Sequence, residues 1–161
     1  ESTFRSPLLI GSALAAMGVL LWVVDLARPA TRPLDAIRWS DAIWIGIAQA
    51  FALLPGVSRS GSTITAGRAL ALDRESAATF SFLMSMPIIA AAALFKVPHL
   101  LHSGGAGMPL LAGVLASAVS GWLAIEIVMR YVRTHSYGAF AVYRVVVGAA
   151  AVALFWMRAR G

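Results

Sequence analysis

Four apolar stretches, residues 8–26, 76–97, 109–128 and 139–157, are each about as long as a helix that crosses a bilayer, roughly 20 residues. Hydrocarbon offers no partner for a bare backbone N–H or C=O, so such stretches must close their own hydrogen bonds as helices. The chain is 60% hydrophobic, and its few charges cluster between the apolar stretches. The sequence therefore predicts an all-α integral membrane protein, a single multi-pass region over residues 1–161. The first stretch is too long for a signal-peptide core, and no convincing small-x-small cleavage site follows it. The chain begins at Glu1 without an initiator Met, which reads as a piece of a longer or processed protein.

Composition excludes several chemistries. There is no cysteine, hence no disulfide and no thiolate nucleophile. The net charge of +6 comes mostly from arginines that flank apolar stretches, where topology and lipid headgroups account for them. No basic-aromatic surface motif points to nucleic acid. Threading the four spans puts Arg28, Arg32, Arg38, Arg74, Arg130 and Arg133 on one side of the membrane. Arg5, Lys96, Arg158 and Arg160 fall on the other, so the first side is expected to be cytoplasmic.

Between the first two spans, residues 42–54 are apolar but amount to roughly 20 Å of helix. Residues 62–72 are shorter still, and neither arm can cross alone. Residues 41–72 therefore read as a re-entrant helix–loop–helix hairpin that enters and leaves on one side, with one irregular tilted span as the alternative. Pro87 is expected to bend or locally unwind the second long span, and 99–107 to form a turn-rich loop. Small residues (Gly113, Ala116, Ser117, Ser120 and Gly121, then 148–151) mark faces on which helices approach closely.

The hairpin's loop reads Pro55-Gly56-Val57-Ser58-Arg59-Ser60-Gly61-Ser62-Thr63. Pro55 and Gly56 stop the first arm, and Ser60 or Ser62 can cap the second. The second arm's N-terminus then offers free N–H groups and the positive end of a dipole. Arg59 adds a bidentate fork, and Ser58, Ser60, Ser62 and Thr63 add hydroxyls for phosphate oxygens. The alternative is a structural loop whose arginine reaches for the interface. Gln49 faces either the same cavity or a helix neighbour. Arg68 reaches either a diphosphate or, preferably, the interface. Arg144, inside the last span beside Tyr143, needs a partner. Glu126 and Arg130 are spaced for an ion pair one turn apart. His99 and His102 are a weak metal pair with no carboxylate near. Asp41 and Asp73 lie at the hairpin's outer ends, so the loop carries no general acid, base or metal cage of its own.

Residues 46–64, from Gly46 through the loop to Ile64, resemble the second signature motif of the undecaprenyl-diphosphate phosphatase (BacA/UppP) family. Arg74-Glu75, Phe80-Ser81-Phe82-Leu83, Pro87 and Tyr143-Arg144 extend the resemblance in register from near residue 8 to the end. It implies a bacterial inner-membrane hydrolase that removes the terminal phosphate of undecaprenyl diphosphate. The product is the monophosphate carrier of peptidoglycan precursors, and the activity confers bacitracin resistance. It implies an inverted-topology repeat, of which this chain is one half, the C-terminal one. Arg59, Ser58 and Thr63 are implied as catalytic residues, with Ser60, Gly61, Ser62 and Gln49 on the phosphate. Gln49 stands where the other repeat carries a glutamate. The family's glutamate-rich motif and its Ser-Gly-His loop have no counterpart here. A divalent cation, Mg or Ca, is thus expected to take its ligands from the N-terminal half, with no metal ligand in this chain. The implied partners are a polyprenyl diphosphate lipid, that missing half and, as an open question, a second copy in a homodimer. This chain alone is expected to bind but not turn over. Half of a lipid or anion transporter, with the same loop as a gate, is the alternative.

Overall fold

The computed structural model describes residues 6–102 and 107–160, and their side chains except those of 99–102 and 158–160. Six α-helices make up most of it: α1 Pro7–Ala27, α2 Trp39–Ala50, α3 Arg59–Ala69, α4 Arg74–His102, α5 Met108–Thr134 and α6 Gly138–Arg160. Among the described residues there is no strand, only one isolated parallel bridge between Arg32 and Leu72. Helices α1, α4, α5 and α6 are long and apolar enough to cross a membrane. The all-α class with four spans is as the apolar lengths predicted.

Local chemistry sets the helix ends. Ser6 accepts from the Leu9 N–H at 3.2 Å and Pro7 opens α1, where a missing donor costs nothing. The Asp41 carboxylate reaches back to the Arg38 N–H at 2.9 Å at the start of α2. Asp73 accepts from the Ser76 N–H at 2.7 Å at the start of α4. Helix α3 ends with Ala71 at φ 64, the left-handed conformation that usually takes glycine. The Leu72 N–H returns to the Gly67 carbonyl at 3.1 Å and closes that end.

Two expectations about α4 are corrected. The helix runs unbroken through Pro87 and Pro98 to His102, so Pro87 does not unwind it and the following loop starts later than His99. One missing donor is tolerable in a long helix whose neighbouring turns stay bonded. The His99–His102 pair lies outside the described side chains.

One end of the bundle is fastened by arginines. It gathers the C-termini of α1, α3 and α5 and the N-termini of α2, α4 and α6. Arg68 of α3 is fully buried there and spends its whole fork. Its Nε donates to Asp25 Oδ1 at 2.8 Å and Nη2 to the Arg28 and Asp25 carbonyls at 2.8 and 3.2 Å. Its Nη1 donates to the Leu72 carbonyl and, at 3.4 Å, to that of Pro29. Arg68 thus ends at the fastened end of the bundle, buried in an ion pair rather than exposed. Asp25, unremarked within the first apolar stretch, gives it a buried partner and α1 gives it orphan carbonyls. Asp25 also accepts from Arg74 at 3.0 Å and from the Tyr137 N–H at 3.2 Å. Arg32 ties both outer ends of the hairpin, donating to the Leu70 carbonyl of α3 at 3.0 Å and to Asp41 of α2. Arg133 of α5 pairs with Glu75 of α4 at 2.8 Å. Leu21, Ile45, Ile64, Leu72, Ala77, Val132 and Tyr137 form an apolar core near this end.

Farther along, α1 packs closely on α6. A Cβ on Gly11 would lie 2.8 Å from the Gly148 carbonyl, and one on Gly148 would lie 2.5 Å from that of Gly11. The close approach expected at Gly148 is present with Gly11 as its partner, and Gly18 packs likewise on Ala141 of α6; sequence reading passed over both α1 glycines. Among the described residues, nothing lies within 4 Å of a Cβ placed on Gly113 or Gly121 of α5. None of the most apolar stretch of α5 is buried within the chain.

Candidate functional site

The hairpin's tip lies against α1 near that helix's start. Gly56 has φ 93, and a Cβ there would collide with the Ile10 carbonyl. Only glycine meets both demands. Asp25, at the arginine-fastened end, is fifteen residues along α1 from Ile10, or roughly 22 Å of helix. The tip is therefore roughly 22 Å from the fastened end, close to the start of α1 and beside Ile88, midway along α4.

Helix α3 starts earlier than expected. Ser58, not Ser60 or Ser62, is its cap, with ψ 133 and its Oγ accepting from the Gly61 N–H at 3.3 Å. Arg59, Ser60 and Gly61 thus form the first turn. With the Gly61 N–H held by Ser58, the N–H groups of Arg59 and Ser60 and the positive dipole end of this turn lie at the tip. Ser58 and Ser60 hydroxyls lie 3.2 Å apart.

The residues singled out at the loop divide into three groups. Arg59 is half-buried and lines a cavity of about 390 Å³ with Gln49, Gly46 and Ile88. The Gln49 Oε1 is buried there without a hydrogen-bond partner. Ser58, Ser60 and Gly61 line a second cavity of about 370 Å³, walled by Leu14, Leu21, Ile64, Phe82 and Phe140. Ser62 and Thr63 turn inward. The Ser62 Oγ donates to the Arg59 carbonyl at 2.9 Å. The Thr63 Oγ1 bonds the same carbonyl at 3.0 Å and the buried Ser81 Oγ at 2.7 Å. Those two hydroxyls brace the first turn from behind.

Arg144 of α6 enters the second cavity. It is 8% exposed, and its guanidinium lies over Gly61 so closely that a Cβ there would overlap Nη1. Its Nε and Nη2 are buried without a partner. Sequence reading saw that Arg144 needed a partner but not that it meets the loop. The 82 residues between Gly61 and Arg144 hide that juxtaposition.

The chemistry available at the tip is anion binding. Two guanidiniums, a helix N-terminus and two hydroxyls are distributed over two cavities beside one turn of α3, and no carboxylate lines either cavity. Among the described residues no three His, Asp or Glu side chains gather as a metal site would require. The described residues lining the two tip cavities offer a divalent cation no carboxylate ligand.

A family profile described as bacitracin resistance protein BacA matches residues 1–150. The chain belongs to the BacA family. Among curated BacA relatives, the undecaprenyl-diphosphatase of Gemmatimonas aurantiaca is 57% identical over 148 residues, covering 92% of this chain and 55% of the relative. That of Moorella thermoacetica is 50% identical, covering 98% of this chain and 60% of the relative. That of Pelotomaculum thermopropionicum is 46% identical, covering 96% and 58%. The chain thus spans between a half and two-thirds of the length of these BacA relatives.

Proposed function

We propose that this chain is the phosphate-clamping part of a bacterial inner-membrane hydrolase that removes the terminal phosphate of undecaprenyl diphosphate. The single observation behind the reading is the hairpin tip. A capped helix N-terminus, with Arg59 beside it, is held roughly 22 Å from the fastened end, and among the described residues no carboxylate lines the Arg59 cavity. Isolated charge is expensive there and implies an anion that travels within the membrane. A diphosphate on a long apolar chain has that character, and undecaprenyl diphosphate is what the relatives' name specifies.

In this reading Arg59, the first-turn N–H groups of α3, and the Ser58 and Ser60 hydroxyls hold the diphosphate. They oppose the negative charge that shifts as the terminal phosphoryl group leaves. Gln49 Oε1 accepts from a water or a protonated phosphate oxygen in the Arg59 cavity. Ser62 and Thr63 fix the pitch of the first turn. The nucleophile or activated water and the divalent cation come from the part of the longer relatives outside the matched span. The activity returns the carrier lipid to peptidoglycan synthesis and underlies bacitracin resistance.

The test is phosphate release from undecaprenyl diphosphate in detergent, for the chain alone, for the protein at its relatives' full length, and for the latter with Arg59→Ala. Turnover only at full length, cut by at least about a hundredfold in Arg59→Ala, is the expected result. A folded full-length protein that releases no phosphate would overturn the reading in favour of a transporter half. Full turnover by this chain alone would refute the division of labour.

A further inference from the structure

Arg144 is the buried charge that the proposed clamp leaves unused. It rises from α6, passes Gly18 of α1 and lays its guanidinium across the first turn of α3 at Gly61. Gly18 lets its Cβ pass, because a side chain there would lie 3.0 Å from it. Gly61 admits its fork. Two glycines on two other helices therefore make room for one arginine. That arginine is more than nine-tenths buried, with Nε and Nη2 unpaired. A guanidinium so placed calls for further acceptors, and an anion supplies both the acceptors and the opposite charge.

The cavity it enters differs from the Arg59 cavity. Besides Ser58, Ser60, Arg144 and the two tyrosines Tyr137 and Tyr143, its walls are apolar, Leu14, Ile64, Phe82 and Phe140 among them. The two cavities share no lining residue and flank the same turn of α3, Arg59 at its first position and Arg144 over its third. A ligand with two anionic groups and one apolar chain matches this division. The terminal phosphate belongs with Arg59 and Gln49. The phosphate ester bearing the chain belongs where apolar walls can receive the carbon next to it.

We infer that Arg144 binds the chain-linked phosphate of an isoprenoid lipid, with the first units of the chain in the cavity beneath it. This deepens the hydrolase reading and rests on the tip being a lipid-phosphate site. It assigns Arg144 to substrate and product alike, since the chain-linked phosphate survives hydrolysis, whereas Arg59 meets the phosphate that leaves.

The test uses the full-length protein in detergent, as wild type, Arg144→Met, Arg144→Lys and Arg59→Ala. Three ligands are compared: undecaprenyl monophosphate, inorganic pyrophosphate and phosphatidylglycerol. Inhibition constants and ligand-induced shifts in melting temperature are measured beside KM and kcat for undecaprenyl diphosphate. Arg144→Met is expected to weaken undecaprenyl monophosphate by between about ten- and a hundredfold, with Lys intermediate. Its loss should fall on KM more than on kcat, and Arg59→Ala should retain most of the monophosphate affinity. If Arg144→Met does not fold, Gly61→Ala, whose methyl displaces only the tip of a flexible arginine, should weaken the monophosphate in the same direction. Wild-type monophosphate affinity in folded Arg144→Met, or in Gly61→Ala if only that variant folds, would overturn the assignment and leave the hydrolase reading standing. Phosphatidylglycerol binding as tightly as the monophosphate, and equally dependent on Arg144, would replace the isoprenoid with a structural phospholipid. Pyrophosphate that matches the lipid would refute the role of the apolar walls. A wild type that binds the monophosphate but hydrolyses nothing would remove the hydrolase reading and keep the Arg144 site.

Discussion

Arg68 carries the most concentrated set of contacts on any single side chain in the structure. It bonds the Asp25 carboxylate and the carbonyls of Asp25, Arg28, Pro29 and Leu72. Replacing it with Met strands Asp25 with Arg74 and bares those carbonyls. Arg68→Met is expected to cost about 3–5 kcal/mol, read as a fall in melting temperature in detergent. Lys should not rescue it, because three donors on a flexible stem cannot replace a five-donor fork. A variant that melts with the wild type would refute this account. The acid–arginine contact at Asp41 has a pH signature. The hydrogen bond from Arg32, then that from the Arg38 N–H, holds its carboxyl below the ordinary 3.8. A depressed carboxyl stabilises the fold fully above its unfolded value and loses that contribution as pH falls through the folded one. Asp41→Asn should therefore melt below wild type at neutral pH, and the gap should close as the buffer is taken below about pH 4. A gap that persists at low pH would mean that the carboxylate charge is not what matters.

At the scale of elements, helix existence was legible and helix ends were not. Apolar length alone marked α1, α4, α5 and α6, because lipid forbids other backbone solutions. The cap of α3 was misplaced because four hydroxyls in six residues all make credible caps, and only the turn at Gly56 selects Ser58. The Asp25–Arg68 pair was missed because 43 residues separate its members. The signal was nonetheless present, since an acid in the last turn of an apolar stretch requires a cation. The division of the loop hydroxyls was not legible at all, because which side of α3 faces Ser81 depends on packing. Two expected outcomes belong to elements. Ala71→Gly should raise stability by up to about 1 kcal/mol, since Ala holds φ 64 against its preference. Gly148→Val should lower it by about 1–3 kcal/mol, since the α1 and α6 backbones leave no room. Both are read from melting in the same detergent.

For the whole molecule, the fastened end and the tip lie far apart, and the fastened end carries most of the flanking arginines. That end is expected to face the cytoplasm. A single cysteine at Ser136, between α5 and α6, should then be labelled by an impermeant thiol reagent only after the inner membrane is opened. Labelling in intact cells would invert the orientation. The exposed apolar face of α5 fits lipid or further protein, and the chain's share of its relatives' length leaves room for the second.

Helix α1 touches the hairpin near both of the hairpin's extremes, through Ile10 at Gly56 and through Asp25 at Arg68. It works as a ruler laid beside the hairpin, with two marks that must both be in phase. One residue gained between those marks would advance the far mark by about 1.5 Å and turn it by about 100°. Either Asp25 would swing away from Arg68, or Gly56 would lose its seat and carry Arg59 with it. Single-residue length changes in α1 should therefore act as lesions of the anion site, although no α1 side chain is charged where the anion would sit.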